Sequence, residues 1–249
     1  MRYAYPPYNR AASSAGVTKR SASANTLFIG GIMAIKFYYL SGSPFGWKVW
    51  LALERKRIDY EMVLLSADGG DLKQPGFLAI NPRGKVPAIS DDGYNLYESS
   101  AICEYLDERY ADSGAGLWPG NLCDRATGRR MESEVGAYIY PPLRRLVEEL
   151  LFRREGIPDE AAISSAREAL ASELNLFAQA AVGDFLLGHE PSLADFALYP
   201  MTALLDRLDL RHPQRAFSGL MPEPLKSWSG RVEALSYFQK TVPPHWRAG

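Results

Sequence analysis

The sequence predicts a small α/β domain followed by an all-helical domain. Segments with strand and helix patterns alternate between residues 34 and 110. A loop rich in glycine and proline comes next, and we place the domain boundary there, with a first domain at residues 33–113 and a second at 122–249. Beyond this loop the apolar residues recur only at helical spacing.

The predicted order of elements in the first domain is βαβαββα. β-Branched and aromatic residues are concentrated in four segments, which predicts strands at residues 34–40, 60–65, 86–90 and 94–97. Apolar residues at helical spacing predict helices at residues 43–57 and 98–110, with a short helix that ends at Asn81-Pro82. In the second domain the same spacing predicts helices at residues 124–153, 159–182, 192–207 and 222–236.

Composition and charge argue against several classes of protein. The 28 Lys and Arg residues balance 29 Asp and Glu residues, whereas a nucleic-acid binder normally carries a basic excess. The three histidines lie far apart without metal-ligand spacing, so we expect no metal. The two cysteines form no CxxC pair, which suits a reducing compartment, and no apolar run is long enough to span a membrane. We therefore expect a cytoplasmic protein without nucleic-acid or membrane partners.

Residues 1–32 differ in composition from the rest of the chain. They contain basic residues and no acidic residue, and the first acid in the chain is Glu54. They are rich in Ala and Ser and have no helix or strand period, which is typical of a disordered tail. An organellar transit peptide has a similar composition. The other interpretation, which we favour, is an over-extended start with Met33 as the initiator.

Ser43-Pro44-Phe45-Gly46 stands where the first strand gives way to the first helix. Ser as N-cap and Pro at the first helical position are both favoured there, which is a purely structural interpretation. The same geometry also suits a function, because a hydroxyl beside a helix N-terminus can donate to an anion. Such a hydroxyl can stabilise the thiolate of a bound thiol, whose free pKa is about 8.5. The two interpretations are compatible.

Two further segments suit a peptide-like ligand. Pro87 cannot donate to a sheet ladder, and a cis bond before it would leave the backbone N–H and C=O of Val86 free for a ligand. An ordinary Gly/Pro turn is the structural alternative. Glu98 and Ser99 open the next helix, where Ser99 is either a simple cap or part of a carboxylate site.

Taken in order, these motifs resemble the cytosolic glutathione transferase family. They are Ser-Pro-Phe-Gly after the first strand, Asn-Pro-x-Gly-Lys-Val-Pro before the third, and Glu-Ser at the following helix. The resemblance covers residues 34–246 and implies a thioredoxin-like N-terminal domain followed by an all-helical C-terminal domain. Pro191–Phe196 is similar to the N-capping motif of the family, with Ser192 as the cap and Asp195 three residues on, and we expect a structural role for both.

The motif around Ser43 looks most like the tau class, whereas Trp47-Lys48-Val49 is similar to the zeta class. Both alignments place Ser43 on the catalytic serine. No cysteine lies near this turn, which disfavours the cysteine-type classes. Tyr38 and Tyr39 stand where tyrosine-type classes have their catalytic residue, but aromatic strand residues are more often part of the core.

The resemblance implies further contacts with glutathione. Lys73 falls near the glycyl carboxylate, and Lys85 lies close enough to help. Val86, next to Pro87, would pair its backbone with the cysteinyl part. The γ-glutamyl end would meet Glu98 and Ser99.

The second substrate is expected to meet the sulfur between the two domains. Tyr138 and Tyr140, on the first long helix of the second domain, are candidates to line this cleft, although tyrosines at that spacing are as easily part of the core. We interpret Cys103 as a buried small hydrophobic residue.

The resemblance implies conjugation of reduced glutathione to a hydrophobic electrophile, with Ser43 stabilising the thiolate, in a detoxification enzyme that forms a homodimer. A glutathione-dependent isomerase, dehalogenase or peroxidase would use the same site. A third possibility is a non-catalytic interaction module with this fold. The sequence indicates neither the electrophile nor the class within the family.

Overall fold

A mixed four-stranded sheet begins the fold in the computed structural model, which describes residues 34–153, 155–181 and 183–246. The strands lie in the order β2-β1-β3-β4; β1 and β2 are parallel, and β3 is antiparallel to both of its neighbours. Their bounds are β1 Ile35–Tyr39, β2 Tyr60–Leu64, β3 Ala88–Asp91 and β4 Tyr94–Tyr97. The interpretations of residues 1–32 and of Met33 lie outside the described residues.

The same domain contains three helices. They are α1 Pro44–Arg55 between β1 and β2, α2 Pro75–Leu78 between β2 and β3, and α3 Ser99–Arg109 after β4. The predicted order βαβαββα is thus confirmed, and with the observed sheet it is a thioredoxin-like domain. The predicted bounds differ from the observed ones by a few residues, because helix and strand ends depend on caps and pairing rather than on periodicity.

The rest of the described chain is helical, as the sequence predicts. The helices are α4 Leu122–Glu134, α5 Tyr140–Val147, α6 Glu160–Ala180, α7 Leu193–Arg211, α8 Glu223–Glu233 and α9 Phe238–Thr241. The helix predicted at residues 124–153 is instead a run of α4 and α5 with π segments at Val135–Ile139 and Glu148–Phe152. Pro141 and Pro142 follow the first π segment, and prolines lack the N–H that a regular α-helix needs.

Helix α1 is shared by the two parts of the fold. All residues from Gly46 to Leu53 are buried, because α1 packs against α3 in the first part and against α7 and α9 in the second. The indole of Trp47 packs edge-to-face on Tyr199 of α7, with ring centroids 5.5 Å apart, and donates to Thr241 Oγ1 at 2.9 Å. The two parts therefore have one continuous hydrophobic core.

Asp195 forms the capping box that the sequence predicts at the start of α7. Its carboxylate accepts from the Ser192 backbone N–H at 2.7 Å and from the Leu186 N–H at 2.9 Å. It also accepts from the indole N–H of Trp228 on α8 at 2.8 Å. Burial raises the pKa of Asp195 above its ordinary value, and these hydrogen bonds oppose the rise. Asp195 therefore fixes α7, its preceding loop and α8 to one another.

Among the residues that the structure describes, no helix is long and apolar enough to cross a membrane. In the same part of the chain, no group of three or more His, Cys, Asp or Glu residues is arranged to hold a metal ion.

We predict that Asp195→Ala lowers the free energy of unfolding by roughly 3–5 kcal/mol, since it leaves several buried donors unpaired. Asp195→Asn keeps one carbonyl acceptor, so the loss should be smaller. Urea denaturation followed by far-UV circular dichroism measures both. An Asp195→Ala protein as stable as the wild type would contradict a structural role for this cap.

Candidate functional site

Strands β1, β3 and β4 bring the predicted motifs to one edge of the sheet. β1 ends at Tyr39, shortly before Ser43. β3 is antiparallel to β1 and begins at this edge, where Ala88 pairs with Tyr38. β4 is antiparallel to β3, so its last residue, Tyr97, also pairs with Ala88. The residues before β3 and those after β4 therefore lie at the same edge as Ser43.

Ser43 is the N-cap of α1, with extended backbone angles of φ −69° and ψ 118°. Its Oγ accepts a hydrogen bond from the Gly46 backbone N–H at 3.2 Å. A hydroxyl that accepts through a lone pair still has its own proton to donate. The cap and the predicted contact to an anion can therefore exist at the same time, in the positive field of the helix N-terminus.

The loop before β3 is held by Asn81, a buried side chain to which sequence reasoning assigned no role at the site. Its Nδ2 donates to the Lys85 carbonyl at 2.6 Å, and its Oδ1 accepts from the Arg83 N–H at 3.0 Å. An Asn that bonds the backbone two residues on is an Asx turn, and Asn-Pro is a known signal for it. The Val86–Pro87 peptide bond that follows is cis.

The loop also approaches the segment before α2. Gly84 has a φ of +58°, and a Cβ added to it would lie 2.9 Å from the carbonyl oxygen of Leu72. Lys73 directly follows Leu72, and Lys85 directly follows Gly84. Both lysine side chains are exposed. The structure thus brings the segments that carry the two predicted lysines together.

Glu98, and not Ser99, is the N-cap of α3, which corrects one interpretation of Ser99. Glu98 has a φ of +71°. Residues other than glycine rarely adopt this backbone conformation, which costs on the order of 1–3 kcal/mol. Its exposed carboxylate lies 3.9 Å from Nε of Arg83, in the loop before β3. Ser99 is the first helical residue and is buried.

A cavity of about 220 Å³ lies between α1, α3, α4 and α7, and Pro44, the residue after Ser43, is part of its lining. Its lining residues are Pro44, Phe45, Lys48, Ser100, Glu132, Ser133, Val135, Gly136, Ala197 and Met201. The ring of Tyr140 packs on Phe45, with centroids 4.7 Å apart. Tyr138 is 57% exposed and lines a different cavity with Leu176, because residues two apart on a helix face different directions. The structure therefore places only one of the two predicted tyrosines beside Phe45.

An ion pair that sequence reasoning missed forms one wall of this cavity. Lys48, only 3% exposed, places Nζ 2.6 Å from Glu132 Oε1 and 3.1 Å from Ser100 Oγ. The Ser100 hydroxyl donates to the same Glu132 oxygen at 2.6 Å. The sequence signal is a lone lysine between Trp47 and Val49 in the otherwise uncharged run from Gly46 to Leu53, but its partners on α3 and α4 lie far along the chain. The pair connects the two parts of the fold.

The cysteines occupy opposite environments. Cys103 is fully buried on α3, and desolvation raises the pKa of its thiol to about 12, so it is an inert core residue. Cys123 is exposed and is not part of a disulfide. Tyr39 is likewise fully buried and packs on Phe37 and Trp50, in agreement with the interpretation that it belongs to the core.

The fold defines a class of protein in which a thioredoxin-like domain and a helical domain share the helix that follows the first strand. The family description "Glutathione S-transferase, N-terminal domain" matches residues 37–114. Glutathione S-transferase 3 of Zea mays is 34% identical over 211 residues, which cover 84% of this chain and 93% of that protein. Maleylacetoacetate isomerase of Pseudomonas aeruginosa is 36% identical over 180 residues, which cover 70% of this chain and 82% of that protein.

Solved structures agree with the sequence comparisons. Glutathione transferase F2 from Populus trichocarpa has 27% sequence identity and a TM-score of 0.74, over 86% of this chain and 100% of that chain. The chain therefore belongs to the glutathione S-transferase family, as its motifs imply.

We predict that a thiol-specific reagent such as Ellman's reagent modifies one cysteine of the native protein, Cys123, and both after denaturation. Burial and the raised thiol pKa protect Cys103. The absorbance released by the reagent counts the thiols, and Cys123→Ser is the control that should remove the native reaction. Fast native labelling of Cys103 would contradict its placement in the core.

We also predict that Lys48→Met lowers the free energy of unfolding by roughly 2–4 kcal/mol, since it leaves a largely buried carboxylate without its cation. The double variant Lys48→Met/Glu132→Leu should recover most of this loss, because no unpaired charge remains. Arg130→Met, in an exposed pair with Glu134 on α4, is the matched control and should change stability little. Equal losses in the single and double variants would contradict the coupling.

Proposed function

We propose that this glutathione S-transferase family member conjugates reduced glutathione to electrophilic small molecules, with Ser43 stabilising the thiolate. The observation that carries the proposal is the hydroxyl of Ser43 at the N-terminus of α1, where Oγ accepts from Gly46 and keeps its proton for a ligand. A donated hydrogen bond and a helix dipole both favour the charged form of a thiol. Ser43 itself need not lose its proton.

The edge of the sheet offers the polar groups that a tripeptide needs. Among the residues described, the backbone N–H and C=O of Val86 have no hydrogen-bond partner, so they are available to the cysteinyl part of glutathione. We assign the γ-glutamyl end to Ser99 and Glu98, at the N-terminus of α3, where backbone N–H groups favour a carboxylate. The exposed Lys73 and Lys85 suit the glycyl carboxylate.

The reaction then needs two steps at the sulfur. Binding lowers the pKa of the glutathione thiol, and its proton leaves to solvent. The thiolate sulfur next uses its electron pair to form a bond to the electrophilic carbon, and the leaving group departs with the pair that bound it. The hydrogen bond from Ser43 and the fixed position of both reactants supply the rate enhancement.

The cavity beside Ser43 suits the second substrate. Phe45, Val135, Ala197 and Met201 give it an apolar side, which fits a hydrophobic electrophile. Tyr140 reaches this region through its contact with Phe45, and Tyr138 does not, so Tyr140 is the stronger candidate.

The alternative reactions use the same thiolate and differ in the substrate that it attacks and in the fate of the glutathione afterwards. One relative bears a name that matches the isomerase alternative, the maleylacetoacetate isomerase of Pseudomonas aeruginosa. A panel of aryl halide, epoxide, hydroperoxide, haloacid and cis-dienone substrates separates these reactions. A protein that binds glutathione and turns over none of them would be an interaction module.

We further propose a cytoplasmic homodimer that acts in detoxification. A free buried thiol and a free exposed thiol suit a reducing compartment, where reduced glutathione is also found. The homodimer follows from the family resemblance, and sedimentation equilibrium tests it.

We predict that Ser43→Ala lowers kcat about 100-fold, in the range found for loss of one donor to a developing anion, while the glutathione Kd changes much less. The profile of rate against pH should shift to higher pH, because the bound thiol then keeps its proton longer. Stopped-flow or steady-state assays and isothermal titration calorimetry of reduced glutathione measure these quantities.

Two variants control this experiment. Ser43→Thr keeps both the cap and the hydroxyl and should keep most of the activity, whereas Ser164→Ala removes an exposed serine on α6 and should have no effect. An unchanged pH profile in Ser43→Ala would show that another group activates the thiol. No glutathione binding by the folded wild type would overturn the whole proposal.

A further inference from the structure

The C-terminal segment Pro244–Trp246 lies against the turn that leads into Ser43. Nδ1 of His245 is 2.5 Å from Oγ of Ser41. Gly42 has a φ of +83°, and a Cβ added to it would lie 3.0 Å from Cε1 of His245. Ser41 and His245 are 204 residues apart in sequence, so the end of the described chain closes over the turn that carries Ser43.

The hydrogen bonds of His245 define its tautomer. The indole N–H of Trp246 donates to Nε2 of His245 at 2.8 Å. An indole nitrogen can only donate, so Nε2 must accept and carries no proton. The neutral ring then has its proton on Nδ1, which donates to Ser41 Oγ. His245 is exposed to solvent overall, but partial desolvation of its ring and the charge of Arg207 lower its pKa below the ordinary value, which favours this neutral form at neutral pH.

The same segment is anchored to α1, the helix that Ser43 caps. The ring of Trp246 packs edge-to-face on Trp47, with centroids 5.3 Å apart. Trp47 is buried, and the guanidinium of Arg207 on α7 lies 5.7 Å from the Trp246 ring centroid. Through His245 and Trp246, this segment connects the turn before Ser43 to Trp47 on the helix after it.

We propose that His245 is a positioning residue for Ser43: its neutral imidazole fixes the Ser41–Gly42 turn and thereby the direction of the Ser43 hydroxyl. This inference rests on the proposed function of Ser43. A displacement of about 1 Å at a reacting group can cost 100-fold in rate, so a contact to the adjoining turn is enough to matter.

We test the proposal with His245→Ala, Ser41→Ala and the double variant, in the full chain. We expect each single variant to lower kcat roughly 10-fold or more, with a change of less than about twofold in the KM for glutathione. The double variant should be no worse than either single variant, because both remove the same contact. His245→Asn places an amide donor near the position of Nδ1 and should restore part of the rate.

Two further readouts report on Ser43 directly. The thiolate absorbance near 240 nm of bound glutathione gives the pKa of its thiol, which should rise in His245→Ala. Hydrogen exchange measured by mass spectrometry on the peptide that contains Ser43 should become faster, since the Ser43 N–H bond to Leu40 at 3.0 Å belongs to the turn. His189→Ala removes a 90% exposed imidazole paired with Asp184 and is the control that should change neither.

The possible outcomes test the positioning role of His245 separately from the proposed function of Ser43. Unchanged kcat, thiol pKa and exchange in folded His245→Ala would overturn the positioning role alone. If that variant does not fold, Ser41→Ala decides, and wild-type behaviour of Ser41→Ala overturns it. A wild type that does not bind glutathione overturns the proposed function, while the exchange measurement still tests whether His245 holds the turn.

Discussion

Burial of α1 on all sides is the constraint on which the rest of this structure depends. The run from Gly46 to Leu53 has no solvent face, because α3 covers it from the first part of the fold and α7 and α9 cover it from the second. A buried large apolar side chain contributes about 1.5–3 kcal/mol, so Trp47 and Trp50 alone make any movement of α1 costly. The direction of the α1 N-terminus, which Ser43 caps, is set by packing in both parts of the fold.

The site itself is assembled from backbone positions as much as from side chains. Antiparallel pairing of β3 with its neighbours brings three loops to one edge, and Asn81 shapes the loop before β3. The positive φ of Glu98, between β4 and α3, costs conformational free energy locally. Such conformations persist where the surrounding packing determines them, and they are found most often at functional sites. The edge therefore presents pre-arranged donors and acceptors, with little ordering left for a ligand to induce.

Sequence patterns were sufficient for the order of elements in the first domain, since strand composition and helical spacing are local properties. They were also sufficient for the N-cap position of Ser43, since it depends on its own neighbours. The π segment before Pro141 and the four-residue α9 were not predicted, because neither has a period that apolar spacing reveals. The positive φ of Glu98 and the ion pair of Lys48 depend on residues that only the tertiary fold brings near. The contact between Ser41 and His245 is the extreme case, because nothing local in either segment indicates the other.

The ion pair between Lys48 and Glu132 limits how this protein can evolve. It forms a wall of the cavity and also fastens α1 to α4, so a change at either position alters the cavity and the joint between the two parts together. The opposite wall of the cavity is neutral and contains Phe45, Val135 and Met201. Val135 and Met201 also belong to the buried hydrophobic core, whereas Phe45 is only partly buried, so Phe45 is the position of this wall where a substitution costs the least packing.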